Sequence, residues 1–371
     1  MNQKTVYRLL MLFSVLTFGF MGISCKPSHV PPSKVAPSHF GQDVPAPLCT
    51  WPWPNAKPET LHTGMTHWQA TSADGTRLEL LKFDFAANPR LRLELFDQDE
   101  DDEKPFDNRA HFWQRGVGQM THQLNGEGKG SVIAAWNGLF FGFDRNDASG
   151  IAEHVAPVVL NGKAYYNSGS HRWTFGVKYS HDRPIFKTLH LPDKQTLTNE
   201  FDWAAGGAQC LIYNGKPLRL EPFPRSLDAL KIGPVLSTPQ EVGHIPTVDH
   251  MRTSRVSLGW SRDSRTLYLL FVKEPGNETA SALAFRHGEI GMGGWTLYDL
   301  QRFWISIGVW SAVNSDGGNV AQLAYLRADA HYQLITQDKR KIVTPAFEDA
   351  PHGGALMYFY VRETNSQGYV P

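Results

Sequence analysis

From Leu78 onward, apolar segments of strand length keep stopping at turn signals, and this punctuation constrains the fold more than any other feature. Val155–Leu160 runs into Asn161-Gly162 and then Lys163-Ala164-Tyr165-Tyr166, and Leu211-Ile212-Tyr213 runs into Asn214-Gly215. Asn-Gly between apolar runs is the strongest short-range hairpin signal, because both residues tolerate the positive φ that a tight hairpin turn requires. Val256–Trp260, the polar turn Ser261-Arg262-Asp263-Ser264 and Thr266–Val272 read as a further hairpin. Leu78–Phe96 alternates about Ala87-Asn88-Pro89 and predicts a hairpin or two adjacent strands. Ala321–Leu326 and Leu356–Val361 add strands near the end. Two segments carry helical spacing instead. Asn108–Leu124 places Phe112, Val117, Met120 and Leu124 on one face. Thr296 caps a second helix with Leu297, Leu300, Phe303, Trp304 and Ile307 as its apolar stripe and Gly308 as its stop. The expected class is α+β: a mixed, mostly antiparallel sheet core with a few packed helices.

The chain has 371 residues, enough for a large core. Lys4 and Arg8 precede an apolar run, Leu9–Met21, too short to span a bilayer, so residues 1–24 read as a signal peptide. Gly22-Ile23-Ser24-Cys25 is similar to a bacterial lipobox, which makes Cys25 a lipidated membrane anchor; an ordinary secretory signal is the other reading. Residues 25–50, rich in Pro and Ser, form a tether, and 51–371 the folded domain. The protein is thus expected to be exported to a bacterial cell envelope, as a lipoprotein facing the periplasm or the exterior. Lys+Arg and Asp+Glu balance at 36 each, which leaves no global field for nucleic acid. Cys49 and Cys210 either form one disulfide or stay buried thiols.

Two junctions share one design. Ser131–Trp136 runs into Asn137-Gly138, and Ser311-Ala312-Val313 runs into Asn314-Ser315-Asp316-Gly317-Gly318. A buried strand that ends on a polar side chain and turns through glycine delivers that side chain to a pocket with little backbone in the way. Asp97–Glu103 is almost wholly acidic, but lacks the Gly of a known calcium loop. A solvated loop is the expectation there, with calcium, in a lectin-like protein, as the alternative; no other cofactor is implied. The 15 His residues have no ligand spacing, and no Gly-x-Ser-x-Gly elbow occurs.

Asn137-Gly138-Leu139-Phe140-Phe141, Arg255-Val256-Ser257-Leu258-Gly259, the helix from Thr296, and Asn314-Ser315-Asp316-Gly317-Gly318 occur in an order that resembles the phosphodiester glycosidase family. Pro157–Lys163 and Thr174-Phe175-Gly176-Val177 add weaker matches, and the likeness runs from about residue 131 to 362. The resemblance implies hydrolysis of a sugar-1-phosphodiester, in envelope polysaccharide or glycolipid, to a phosphomonoester. Such a reaction needs stabilisation of an oxocarbenium-like sugar and a place for the phosphate charge. Asp316 is then the key carboxylate, as nucleophile or as base for water. Arg255 is the phosphate partner, and Asn137 and Asn314 bind sugar hydroxyls or phosphate. Backbone N–H groups at Gly138, Gly317 and Gly318 would cradle phosphate oxygens. Glu153, Asp144 and Asp147 are candidates for a second carboxylate, Arg252 for assistance to Arg255, and His171 and His250 for the pocket lining. The pattern departs at Leu139, Asn319 and Val320, where the family has Gly, Gly and Ser. The competing expectation is a non-catalytic envelope protein of the same fold that binds a sugar or phosphate.

Overall fold

The computed structural model describes residues 48–111, 115–143, 151–166, 173–218, 252–275, 293–336, 340–343 and 354–365. The strands in chain order are β1 (Glu59–His62), β2 (Met65–Thr71), β3 (Arg77–Asp84), β4 (Leu91–Asp97), β5 (Ala110–His111), β6 (Gly130–Asn137) and β7 (Phe141–Phe143). They continue with β8 (Ile151–His154), β9 (Val158–Leu160), β10 (Lys163–Tyr165), β11 (Trp173–Ser180), β12 (Arg183–His190), β13 (Trp203–Tyr213) and β14 (Lys216–Pro217). The last are β15 (Arg255–Trp260), β16 (Thr266–Lys273), β17 (Ser311–Asn314), β18 (Leu323–Leu326), β19 (Tyr332–Ile335), β20 (Arg340–Val343) and β21 (Met357–Thr364). Among the described residues three α-helices accompany them: α1 (Val117–Gly126), α2 (Lys194–Glu200) and α3 (Leu297–Ile307).

Twelve strands form one sheet whose main path is β1-β2-β3-β16-β15-β17-β13-β11-β12. Six form a second, β20-β19-β18-β6-β21-β4, and β5-β8-β7 form a small third. The two large sheets pack face to face. Leu81, Phe83, Leu258, Phe271 and Val313 of the first meet Leu93, Leu95, Trp136, Phe359 and Val361 of the second in one apolar layer. Each outer face carries a helix. Val117, Met120 and Leu124 of α1 cover Val132, Ala135, Tyr358 and Tyr360. Leu297, Leu300, Phe303 and Trp304 of α3 cover Leu80, Leu211, Leu270 and Ala312. Burial of each such side chain stabilises the fold by about 1.5–3 kcal/mol. The ends of α3 follow the sequence. The Thr296 hydroxyl accepts from Asp299 N–H (3.1 Å) and the Asp299 carboxylate accepts from Thr296 N–H (3.0 Å), while Gly308 takes φ 78°.

The architecture is mainly β, and every strand pairing among the described residues is antiparallel rather than mixed. Leu78–Phe96 does give two strands, β3 and β4, but they do not pair. They lie in different sheets, with Phe83 and Leu93 meeting in the layer between. Alternating apolar residues mark a strand that buries a face and are blind to whether the next strand lies beside it or across from it. The helix expected over 108–124 begins at Val117; Ala110–His111 before it is a strand. The acidic run is not wholly solvated, since Asp97 and Asp99 are both buried. Cys49 and Cys210 are free thiols: Cys210 faces the layer between the sheets, Cys49 the α3 side, so a sheet separates them. Trp53 stacks on Phe303 of α3 (centroids 5.5 Å apart), which ties residues near Leu48 to the core. No helix among the described residues is long and apolar enough to cross a membrane.

Candidate functional site

In the middle of the large sheet β13, β17, β15 and β16 lie side by side, and the candidate residues gather at one end of β15, β16 and β17. Asn314 stands opposite both Gln209 and Ser257, and Arg255 opposite Val272. Because side chains alternate along a strand, Gln209, Asn314, Ser257 and Arg255 share a face with Leu270 and Val272, the face that α3 covers. Ser315 N–H donates to Val256 O (2.8 Å), carrying the register past the end of β17 and bringing Asp316 level with Arg255. Gly318 N–H donates to Ser254 O (2.9 Å). A Cβ on Gly317 would stand 2.4 Å from Ser254 O and 3.4 Å from Arg255 Cα, so only glycine lets these two segments approach as they do.

The end of β6, in the other large sheet, meets the same point. Asn137 Nδ2 donates to Asp316 O (2.8 Å), Gln322 N–H donates to Asn137 Oδ1 (2.9 Å), and Asp316 N–H donates to Gly138 O (3.2 Å). The Ser315 hydroxyl donates to Gly138 O as well. A Cβ on Gly138 would lie 2.9 Å from Met357 Cβ and 3.0 Å from Met357 O. The two strand-to-glycine junctions are therefore stitched to each other, and Asp316 sits at the seam, partly exposed.

The individual side chains differ in what they leave available. Arg255 is buried and its Nε donates to Trp295 O (3.0 Å), just ahead of α3. Asn314 Nδ2 donates to Gln209 Oε1 (2.8 Å), whereas its buried Oδ1 has no hydrogen-bond partner among the described residues. Trp295 Nε1 is also buried without a partner among the described residues. The Asn137 amide is spent at both ends on main chain, which makes it a latch on Asp316 rather than a free ligand group. The expected phosphate cradle is corrected likewise. Gly138 N–H donates to Met357 O (2.7 Å), Gly317 N–H to Asp316 Oδ1 (2.8 Å) and Gly318 N–H to Ser254 O. Gly138 and Gly318 spend their donors on joining strand ends, and Gly317 spends its own on the Asp316 carboxylate. Arg252 lies within 3.6 Å of Asp299 at the start of α3 and donates to Gly294 O (3.2 Å).

Glu153 is exposed on β8, opposite Gly142 in the small sheet, and no contact among the described residues links it to Asp316 or Arg255. His171, His250, Asp144 and Asp147 lie outside the described residues. Asp99, Asp102 and Asp107 bring three carboxylates within 4.8 Å of one another. Asp99 accepts from Asn108 N–H and Arg109 N–H (3.1 Å each) and from the Tyr166 hydroxyl. Burial, with the like charge of Asp97 beside it, holds the Asp99 carboxyl above the usual range.

A carboxylate missed in the sequence stands at the same sheet end. Glu274 follows β16 directly and is buried. Its N–H donates to Ser254 Oγ (3.2 Å), and burial pushes its carboxyl above the ordinary range against the pull of the Lys273 and Arg255 charges. The signal was there: Val272-Lys273-Glu274-Pro275 is another strand ending on a carboxylate.

The model of the phosphodiester glycosidase family matches residues 130–347. The chain belongs to the phosphodiester glycosidase family. The matched span holds both junctions, the β15–β16 hairpin and α3, and begins where β6 begins. The structure is similar to the catalytic domain of zebrafish N-acetylglucosamine-1-phosphodiester alpha-N-acetylglucosaminidase, auto-inhibited by its pro-peptide, at 17% identity over 84% of each chain and a TM-score of 0.49. A hypothetical protein from Synechocystis matches at 12% identity over 83% of this chain and 64% of that one, with a TM-score of 0.42. Among curated proteins, none matches. This phosphodiester glycosidase chain carries Val320, buried at 6% exposure, where the family motif has a hydroxyl residue.

Proposed function

We propose that this chain is a glycosyl-phosphodiester hydrolase with Asp316 as its central carboxylate. Asp316 acts on the anomeric carbon of the sugar, as nucleophile or through water. Arg255, held by Trp295 O through Nε, brings its fixed positive charge beside Asp316 and stabilises the departing monoester. A phosphate monoester is a weak base, so the leaving group needs little proton donation and the work falls on charge stabilisation. Asn314 Oδ1 is the acceptor that a sugar hydroxyl would satisfy. The observation that supports this most is the convergence of the ends of β6, β15 and β17 on Asp316, through Asn137 Nδ2 to Asp316 O and Gly318 N–H to Ser254 O. In the proposed setting the substrate is an envelope polysaccharide or glycolipid, and the chain is exported and anchored through lipidated Cys25. The experiment is release of N-acetylglucosamine from an N-acetylglucosamine-1-phosphodiester, with Asp316→Ala as control. Turnover that survives D316A would overturn the assignment.

A binding-only protein of the same fold is the second reading, and Val320 favours it, because a buried apolar side chain takes the place of a hydroxyl donor beside the site. Saturable binding of N-acetylglucosamine 1-phosphate without release of sugar from any phosphodiester would select it.

A further inference from the structure

We infer that Ser315 is a positioning residue for Asp316: its hydroxyl, bonded to the Gly138 carbonyl, sets where the central carboxylate stands at the seam of the two large sheets. The inference rests on the assignment of Asp316 made above. Ser315 is the residue at which the chain passes from one sheet to the other. Its N–H donates to Val256 O (2.8 Å) in the first sheet, and its hydroxyl donates to Gly138 O at the end of β6 in the second. Ser315 is fully buried, and a carbonyl oxygen can only accept, so the direction of that bond is fixed. Asn137 O, at 3.4 Å, is the more distant acceptor. The Gly138 carbonyl is a firm point of reference. Gly138 N–H donates to Met357 O (2.7 Å), and its Cα lies so close to β21 that a Cβ would stand 2.9 Å from Met357 Cβ.

Gly138 O has two lone pairs and receives two donors from consecutive residues, the Ser315 hydroxyl and Asp316 N–H (3.2 Å). The second bond lies at the long end of the N–H···O range, so it holds Asp316 weakly without the first. The other tie across the seam, Asn137 Nδ2 to Asp316 O (2.8 Å), runs through a longer side chain with two torsions. Serine reaches its acceptor through a single torsion, χ1, and leaves less slack between the two junctions. Asp316 follows Ser315 directly, so whatever moves this hydroxyl moves the carboxylate. Ser311, at the other end of β17, supplies the comparison. It is buried as well, but its hydroxyl accepts from Asn214 N–H (2.9 Å), away from the seam.

The test compares Ser315→Ala with Ser311→Ala in the full chain. Two quantities are measured: kinetics on an N-acetylglucosamine-1-phosphodiester, and hydrogen exchange of the Asp316 amide by NMR. S315A should lower kcat by about tenfold with KM within about twofold of the parent, because substrate contacts stay and only the reacting group is displaced. Its Asp316 amide should exchange about tenfold faster than in the parent. S311A should keep kcat within about twofold and leave that amide unchanged, although both variants lose a buried hydroxyl. An S315A that turns over like S311A, a loss carried by KM instead of kcat, or an Asp316 amide that exchanges no faster each overturns the inference. In all three cases turnover abolished by D316A leaves the glycosidase assignment standing. If the unaltered protein releases no sugar, that assignment falls separately and exchange alone decides on Ser315: a faster Asp316 amide in S315A than in S311A supports the inference, and equal rates overturn it.

Discussion

Replacing Gly317 by alanine is the most discriminating single change at this site. The backbone of Gly317 is extended (φ −138°), a conformation alanine adopts without strain, so the substitution has no conformational cost of its own. What it adds is one methyl group placed 2.4 Å from the Ser254 carbonyl oxygen. Ordinary carbon–carbon contact is about 3.5–4.0 Å and a carbon–oxygen contact little less, so the segments must separate by about 1 Å. The obstacle is main chain and cannot rotate aside. Separation lengthens the Gly318 N–H to Ser254 O bond (2.9 Å) and shifts Asp316 away from Arg255. Overpacking of this kind costs about 1–3 kcal/mol of stability. A misplacement of about 1 Å at a reacting group costs about a hundredfold in rate. Gly318→Ala is the control. Its φ of 61° makes alanine strained by about 1–2 kcal/mol, yet the added carbon finds only Thr253 Oγ1, at 3.7 Å. The two variants should therefore be destabilised alike in urea titrations, while only G317A loses kcat/KM on the sugar-1-phosphodiester by about two orders of magnitude. G317A within threefold of the parent would refute the idea that this close approach sets the position of Asp316.

Asn137→Asp exchanges the Nδ2 donor for an oxygen facing Asp316 O and should cost about 1–3 kcal/mol in chemical denaturation; an unchanged midpoint would show that the latch is dispensable. Arg255→Lys keeps the charge but gives up the planar fork and the bond to Trp295 O, so phosphodiester KM should rise about 10- to 100-fold, with N-acetylglucosamine as an inhibitor little affected. Cys49 and Cys210 should each be free in the folded protein, resist thiol reagents until denatured, and leave the melting temperature unchanged on addition of reductant; a reductant-sensitive melt would contradict their separation by a sheet. Asp99 has a raised folded pKa, so its contribution to stability is full below the unfolded value of about 3.9 and is lost as pH rises through the folded one. Asp99→Asn should flatten that part of the stability–pH curve, and an unaltered curve would mean that another group carries it.

Much of the strand inventory was legible because turn chemistry is local. Asn161-Gly162 and Asn214-Gly215 close hairpins where the sequence places them, and Arg255–Trp260 and Thr266–Lys273 pair across their polar turn. The helix from Thr296 to Gly308 was legible for the same reason, since a capping box and a left-handed glycine are written within a dozen residues. The two strand-to-glycine junctions were visible as a pattern, and so was their resemblance to a family. What that pattern left open was the use of each group. Gly138, Gly317 and Gly318 look like a phosphate cradle in one dimension; in three, the N–H groups of Gly138 and Gly318 join strand ends and that of Gly317 meets the Asp316 carboxylate. Glu274 was passed over because it lies about forty residues from Asp316, and only the order β16-β15-β17 puts them on either side of Thr253–Arg255.

By itself, then, the sequence determined much of the strand inventory, where α3 begins and ends, and that strands ending at Asn137 and Asn314 run on into glycine. Those properties depend on neighbours within a few residues. Tertiary structure alone decided that β3 and β4 belong to opposite sheets, that Cys49 and Cys210 face away from each other, and that Asn137 latches Asp316 instead of meeting a ligand. Each of those depends on which face of a strand meets which layer, and a period of two along the chain is the same for every choice of partner.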